Sequence, residues 1–197
     1  MIRVSAALLA GAALLAVLTG CTPGRADGED SGPVTTPQAS IAGEWVVTRT
    51  VVSSDDTSNP ARAVGANSVR YLLIEREDCG NATCPGTIAS GATPDARESA
   101  ELTQIDGGLE YALVGTLDCL NSATGAVVAI DAVEYRQDAT LTVGTRAEVS
   151  GVDTASTLTG TLSYTDTVTA DGAADGCART PETVSVEYTL SAVRAPA

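Results

Sequence analysis

The residues with the types and spacing to do chemistry are few: a carboxylate run at Glu75, Glu77 and Asp78, an acidic loop with Asp171 and Asp175, four cysteines at Cys79, Cys84, Cys119 and Cys177, and a set of tyrosines with Arg49, Gln137 and Asp166. Neighbouring carboxylates are what general acid–base work needs, but this run leads into a cysteine loop and reads as solvated. Asp171 and Asp175 offer oxygens to calcium, yet their spacing departs from the EF-hand loop. The chain has no histidine and no lysine. That removes Ser-His-Asp, Cys-His and Ser-Lys nucleophile pairs, Schiff-base and P-loop lysines, and histidine-ligated zinc. The sequence therefore reads as a non-enzyme with no cofactor and no metal site, and catalysis by carboxylates alone is the third reading.

The four cysteines are even in number, as in an exported protein that pairs them. Of three connectivities, Cys79 with Cys84 and Cys119 with Cys177 are favoured; the first closes the short CGNATC loop and the second ties a strand end to a late loop. A site of four thiolates on a metal is the alternative, without the support of a CxxC pair. The formal charge is −14 with 25 acidic residues, which argues against a nucleic-acid partner, for which a basic footprint is needed.

The elements that would position these residues are strands. From Leu158 to Val168 apolar residues and threonines alternate, the mark of a strand with one face in a core and one in water. The same two-residue period recurs at Leu109 to Leu117, Val133 to Val143 and Val184 to Ala192, and further strands fall near Gly43 to Val52, Val69 to Arg76, Gly86 to Ser90 and Glu98 to Gln104. No segment after the first twenty residues has a helical period with caps. About eight to ten consecutive antiparallel strands joined by turns such as NSATG and TADGAADG predict an all-β fold, a single meander barrel closed so that no edge is left open, with a β-sandwich as the alternative. In this phase Tyr111, Tyr135, Tyr164 and Tyr188 point inward with Arg49, Gln137 and Asp166, while Tyr71 is ambiguous because VRYLLIER is apolar on both faces. Such a lining makes an amphipathic pocket. Arg49 would then hold a ligand's anionic group, or pair internally with Asp166, or lie at the rim.

Residues 1–20 read as an export signal, too short to span a bilayer comfortably. They end in Leu18-Thr19-Gly20-Cys21, which resembles the bacterial lipobox. That resemblance implies lipid attachment to Cys21, cleavage before it, and a protein anchored on the extracytoplasmic face of the cell membrane. Residues 21–40 are rich in proline, glycine and acid and read as a tether, leaving residues 41–197 as the barrel domain. At the start of the first strand Gly43-Glu44-Trp45 resembles the Gly-x-Trp of lipocalins and wider calycins. The resemblance implies that Trp45 closes one end of the barrel and that Arg194, in phase at the end of the last strand, packs across it. An ordinary core role for Trp45 is the other reading. Together these readings describe a lipid-anchored envelope protein with a small amphipathic or lipid ligand in its barrel, or one that serves as a structural or protein-interaction module of the envelope with a filled core.

Overall fold

The computed structural model describes residues 39–76, 86–105, 108–121 and 123–196. The expectations for the signal, Cys21, most of the tether and the loop of Cys79, Cys84, Glu77 and Asp78 lie outside those residues. Among the described residues ten strands follow one another: β1 (Gly43–Ser54), β2 (Asn67–Arg76), β3 (Gly86–Thr93), β4 (Ala96–Ile105), β5 (Gly108–Leu120), β6 (Val127–Val143), β7 (Arg146–Val149), β8 (Val152–Ala155), β9 (Thr157–Val168) and β10 (Thr183–Arg194). Eight close into an antiparallel barrel in the order β1-β10-β9-β6-β5-β4-β3-β2, and β7 and β8 form a separate hairpin between β6 and β9. Closure of this order excludes the two-sheet sandwich.

The reason is legible strand by strand. Along β10, Val184, Val186, Tyr188, Leu190 and Ala192 are buried while the residues between them are not. Opposite faces of one strand cannot both meet the same core, so this period commits each strand to one inner row. On the outer faces, threonine hydroxyls of neighbouring strands bond one another, as at Thr140 with Thr161 (2.9 Å) and Thr167 with Thr183 (3.1 Å). Two elements depart from the sequence reading. The β7–β8 hairpin lies in a segment with no apolar alternation, and a one-turn helix α1 (Ala170–Ala174), capped by the Thr169 hydroxyl accepting from the Gly172 N–H at 2.9 Å, occupies the expected TADGAADG turn.

One pole of the barrel is closed by Trp45, which is fully buried and donates its indole N–H to the Ile41 carbonyl at 3.0 Å. The Arg194 guanidinium lies 4.7 Å above the Trp45 ring and donates to the carbonyls of Ala155 (2.6 Å), Ala42 (2.8 Å) and Ser40 (3.0 Å). Gly43, at φ +127°, lets the backbone pass beneath; a Cβ there would lie 2.7 Å from Arg194 Nη1. At the other pole a second small core of Ala129, Ala132, Val133, Val168 and Cys177 surrounds the disulfide from Cys119 to Cys177. This bond ties the far end of the β5–β6 hairpin to the segment after α1.

Two outcomes follow from these contacts. Replacing Cys119 and Cys177 with serine together opens a loop with a sequence separation of 58, and urea titration should register a loss of about 2–4 kcal/mol. Arg194→Ala removes three bonds to carbonyls and one ring contact at once; a loss on the order of 3 kcal/mol is expected, read from the emission of the chain's single tryptophan during unfolding.

Candidate functional site

Inside the barrel the wall changes character along the axis. Toward the Trp45 pole the inner rows are apolar and tightly buried, with Val47, Leu72, Ile74, Leu141, Leu158 and Leu162 at 2% exposure or less. Toward the opposite pole the same rows continue as Arg49, Ser68, Ser90, Gln137, Tyr164 and Tyr188. The register that pairs Arg49 with Ser68, and Leu72 with Ser90, keeps these residues in phase with the core positions beneath them. Ser68, Ser90, Gln137 and Tyr164 are only half-buried although they face inward, so the wall at this level is not packed solid.

At the mouth, loop residues converge on Asp166, which is 2% exposed. Arg62, from the single 3-10 turn between β1 and β2, places Nη2 2.8 Å from Asp166 Oδ2 and Nη1 3.4 Å from Asp56 Oδ2. Arg179, after α1, brings Nη2 within 2.7 Å of Asp166 Oδ1 in an ion pair not aligned as a hydrogen bond, and donates to the Glu182 carbonyl at 2.8 Å. Tyr164 donates to Asp166 Oδ2 at 2.9 Å, and its ring lies 4.9 Å beneath the Arg62 guanidinium. Burial works against the Arg62 charge, but the bond to Asp166 and the nearby negative charge hold its pKa above the usual arginine value. Asp56 is likewise pushed up by burial, yet bonds from Ser58 and the Arg62 charge outweigh this and leave it below the usual carboxylate range.

Because Arg62 and Arg179 take Asp166, the expected internal pair of Asp166 with Arg49 is not made. Arg49 is 9% exposed. Its Nε donates to Ser68 Oγ at 3.3 Å, its plane lies 4.9 Å over the Tyr188 ring, and among the described residues it has no carboxylate partner. Burial, and then the positive charge of Arg70, lower its pKa to about 10 against the opposing pull of Tyr188, Tyr111 and Tyr164. A stacked ring contributes roughly 0.5–2 kcal/mol, less than the several kcal/mol that desolvating an ion costs. Arg70 was not singled out by the sequence. It sits two residues from Ser68 on the inner row of β2, hidden by a segment apolar on both faces. Tyr71 falls on the outer row.

The barrel wall is incomplete at one seam. β4 and β5 pair only at Thr103 with Glu110, Gln104 with Leu109 and Ile105 with Gly108. Above these pairs a cleft of about 230 Å³ separates the strands, with Glu98, Ala100, Leu113, Gly115 and Tyr135 on its walls. Tyr135 spans it by donating to Glu98, and its ring covers Gly115, where a Cβ would come within 2.9 Å. Tyr135 also stacks with Tyr164, their centroids 6.3 Å apart. Asp171 and Asp175 belong to α1 and its C-terminal cap, and among the described residues no cluster of three or more acidic or cysteine ligands gathers. No helix among these residues is long and apolar enough to cross a membrane.

Fold and site together define a closed eight-stranded barrel whose interior passes from apolar to cationic and phenolic along its axis. Compared with protein-family models, curated proteins and solved structures, the chain has no match.

Burial raises the Tyr111 phenol to about 12 against the opposing effects of Arg49 and Ser90, and burial with the adjacent Asp166 raises Tyr164 to about 12. Both exceed the value near 10 of an unfolded chain. Their protonated forms therefore support the fold fully below about pH 10, and that support is lost as pH rises from about 10 toward 12. Spectrophotometric titration of the wild type against Tyr111→Phe and Tyr164→Phe should find these two phenols silent until near pH 12 or until the protein unfolds.

Proposed function

We propose that this chain is a non-catalytic envelope protein, lipid-anchored through Cys21 on the extracytoplasmic face of the cell membrane, whose barrel binds a small anionic amphiphile. The observation that carries the reading is Arg49, buried inside the barrel with no carboxylate partner while the neighbouring inner-row polar residues stay half-buried. A buried cation without a counter-ion is costly, and an anion from outside removes that cost. The phenols of Tyr111, Tyr164 and Tyr188 supply polar rims to apolar rings, which suits a ligand with a charged head and an apolar body. The stack of Arg194 on Trp45 beside Gly43 supports a lipocalin-like kinship.

A second reading, an interaction module, is favoured by one observation. Val114, Leu117, Leu120, Val127 and Ile130 are exposed on the β5–β6 hairpin, beside an outer groove of about 460 Å³ walled in part by Val114, Glu134, Arg136 and Thr165. Exposed apolar side chains of this kind mark contact surfaces where they gather.

Native mass spectrometry of the full-length protein, exported in its own host and purified gently in detergent, tests the first reading. An added mass that disappears on denaturation and is absent from Arg49→Leu is the expected outcome. An added mass equally retained by Arg49→Leu would place the ligand elsewhere, and a protein that stays bare with every candidate anion added would leave the interaction module standing.

A further inference from the structure

The register of β1 with β2 carries the charge of the ligand one step further. Val47 pairs with Arg70 and Arg49 pairs with Ser68, so Arg49 and Arg70 are diagonal neighbours on the inner face, with backbones about 7–8 Å apart. Arg70 is half-buried; its Nη1 donates only to the carbonyl of its chain neighbour Val69 at 3.1 Å. Neither guanidinium has an ion pair among the described residues, where Arg62, Arg97, Arg136, Arg146 and Arg179 all have one. Two like charges side by side repel, and the Arg70 charge adds to burial in lowering the affinity of Arg49 for its proton. The acids that face this level of the interior are already engaged: Asp166 by Arg62 and Arg179, and Glu98 by Tyr135.

We infer that Arg49 and Arg70 form one site for a doubly charged head group, a phosphate monoester or an equivalent dianion, carried on a small aromatic or aliphatic body. The inference rests on the proposal that the barrel binds a ligand. Two planar guanidiniums supply several N–H donors in a fixed fork, the geometry that phosphate oxygens accept in pairs. A monoanion would leave one of the two charges unmatched, whereas a dianion matches both. The apolar floor formed by Leu72 and Leu162 and the flanking rings of Tyr188 and Tyr111 then take the body of the ligand.

Two probes separate the parts of this inference. Phenyl phosphate gains its second charge near pH 6, while benzenesulfonate keeps one charge throughout. The chain has no histidine, and the phenols of Tyr111 and Tyr164, pushed up to about 12 by burial, titrate far above this range. Isothermal titration calorimetry with the full-length protein in detergent should find phenyl phosphate about tenfold tighter at pH 8 than at pH 5, following its dianion fraction, with benzenesulfonate unchanged. Arg70→Gln should flatten the phenyl phosphate profile and leave benzenesulfonate bound; Arg49→Gln should weaken both probes by at least about tenfold. Arg70→Met serves if the glutamine variant fails to give the native tryptophan emission. A flat phenyl phosphate profile in the wild type, or one that Arg70→Gln and Arg70→Met leave intact, overturns the two-arginine site while Arg49-dependent binding of either probe keeps the binding barrel. Failure of both probes to bind, or binding indifferent to Arg49→Gln, overturns the two together.

Discussion

Closure is the constraint on which this molecule is built. When eight strands join edge to edge, each contributes every second residue to one shared interior, and no side chain in that phase can be moved to water without shifting its whole strand. The interior therefore has to accept what the rows deliver. Below, they deliver branched aliphatics and Trp45, and the result is a filled core. Above, the same rows deliver Arg49, Arg70, four tyrosines and two serines. The lower half is the larger apolar core, and the upper half carries the polar groups that such a core would exclude.

The two poles solve opposite problems. At the Trp45 pole the backbone carbonyls of Ser40, Ala42 and Ala155 need donors, and the one guanidinium of Arg194 supplies all three while its face covers the ring. At the other pole a buried carboxylate needs compensation, and two arginines arrive from separate loops to give it. Arginine can serve both because its donors are fixed in a plane and its faces are weakly hydrated. The same properties make Arg49 conspicuous. It has a ring beneath it and one long bond to Ser68, and no carboxylate among the described residues meets its remaining donors.

Much of the barrel was legible because its signal is local. A two-residue period in Leu158 to Val168 or Val184 to Ala192 fixes strand and phase together, and the phase of Tyr111, Tyr135, Tyr164 and Tyr188 follows from their neighbours. What was not legible depends on distance or on the lack of a buried face. The four residues of β7 are all exposed, so nothing in them alternates. Helix α1 is one turn long and too short for a 3.6-residue period to appear. The partners of Asp166 come from loops whose reach no pattern encodes, and Arg70 lies in a strand whose two apolar faces conceal which is inner. The open seam between β4 and β5 was not legible either: β4 buries only Leu102 and carries Glu98 on its inner row, a weak alternation that fits a strand without telling how far it pairs.

The clamp around Arg194 also has a mechanical meaning. The described chain enters the barrel at Ala39 and Ser40, where Ser40 exchanges backbone bonds with β8 (2.7 Å and 2.9 Å) and its carbonyl receives Arg194. A pull arriving along the preceding residues meets this knot before it reaches the ladder of β1. Residues from three distant parts of the sequence share the load, so tension on the chain is taken up at the rim and the register of the barrel is spared.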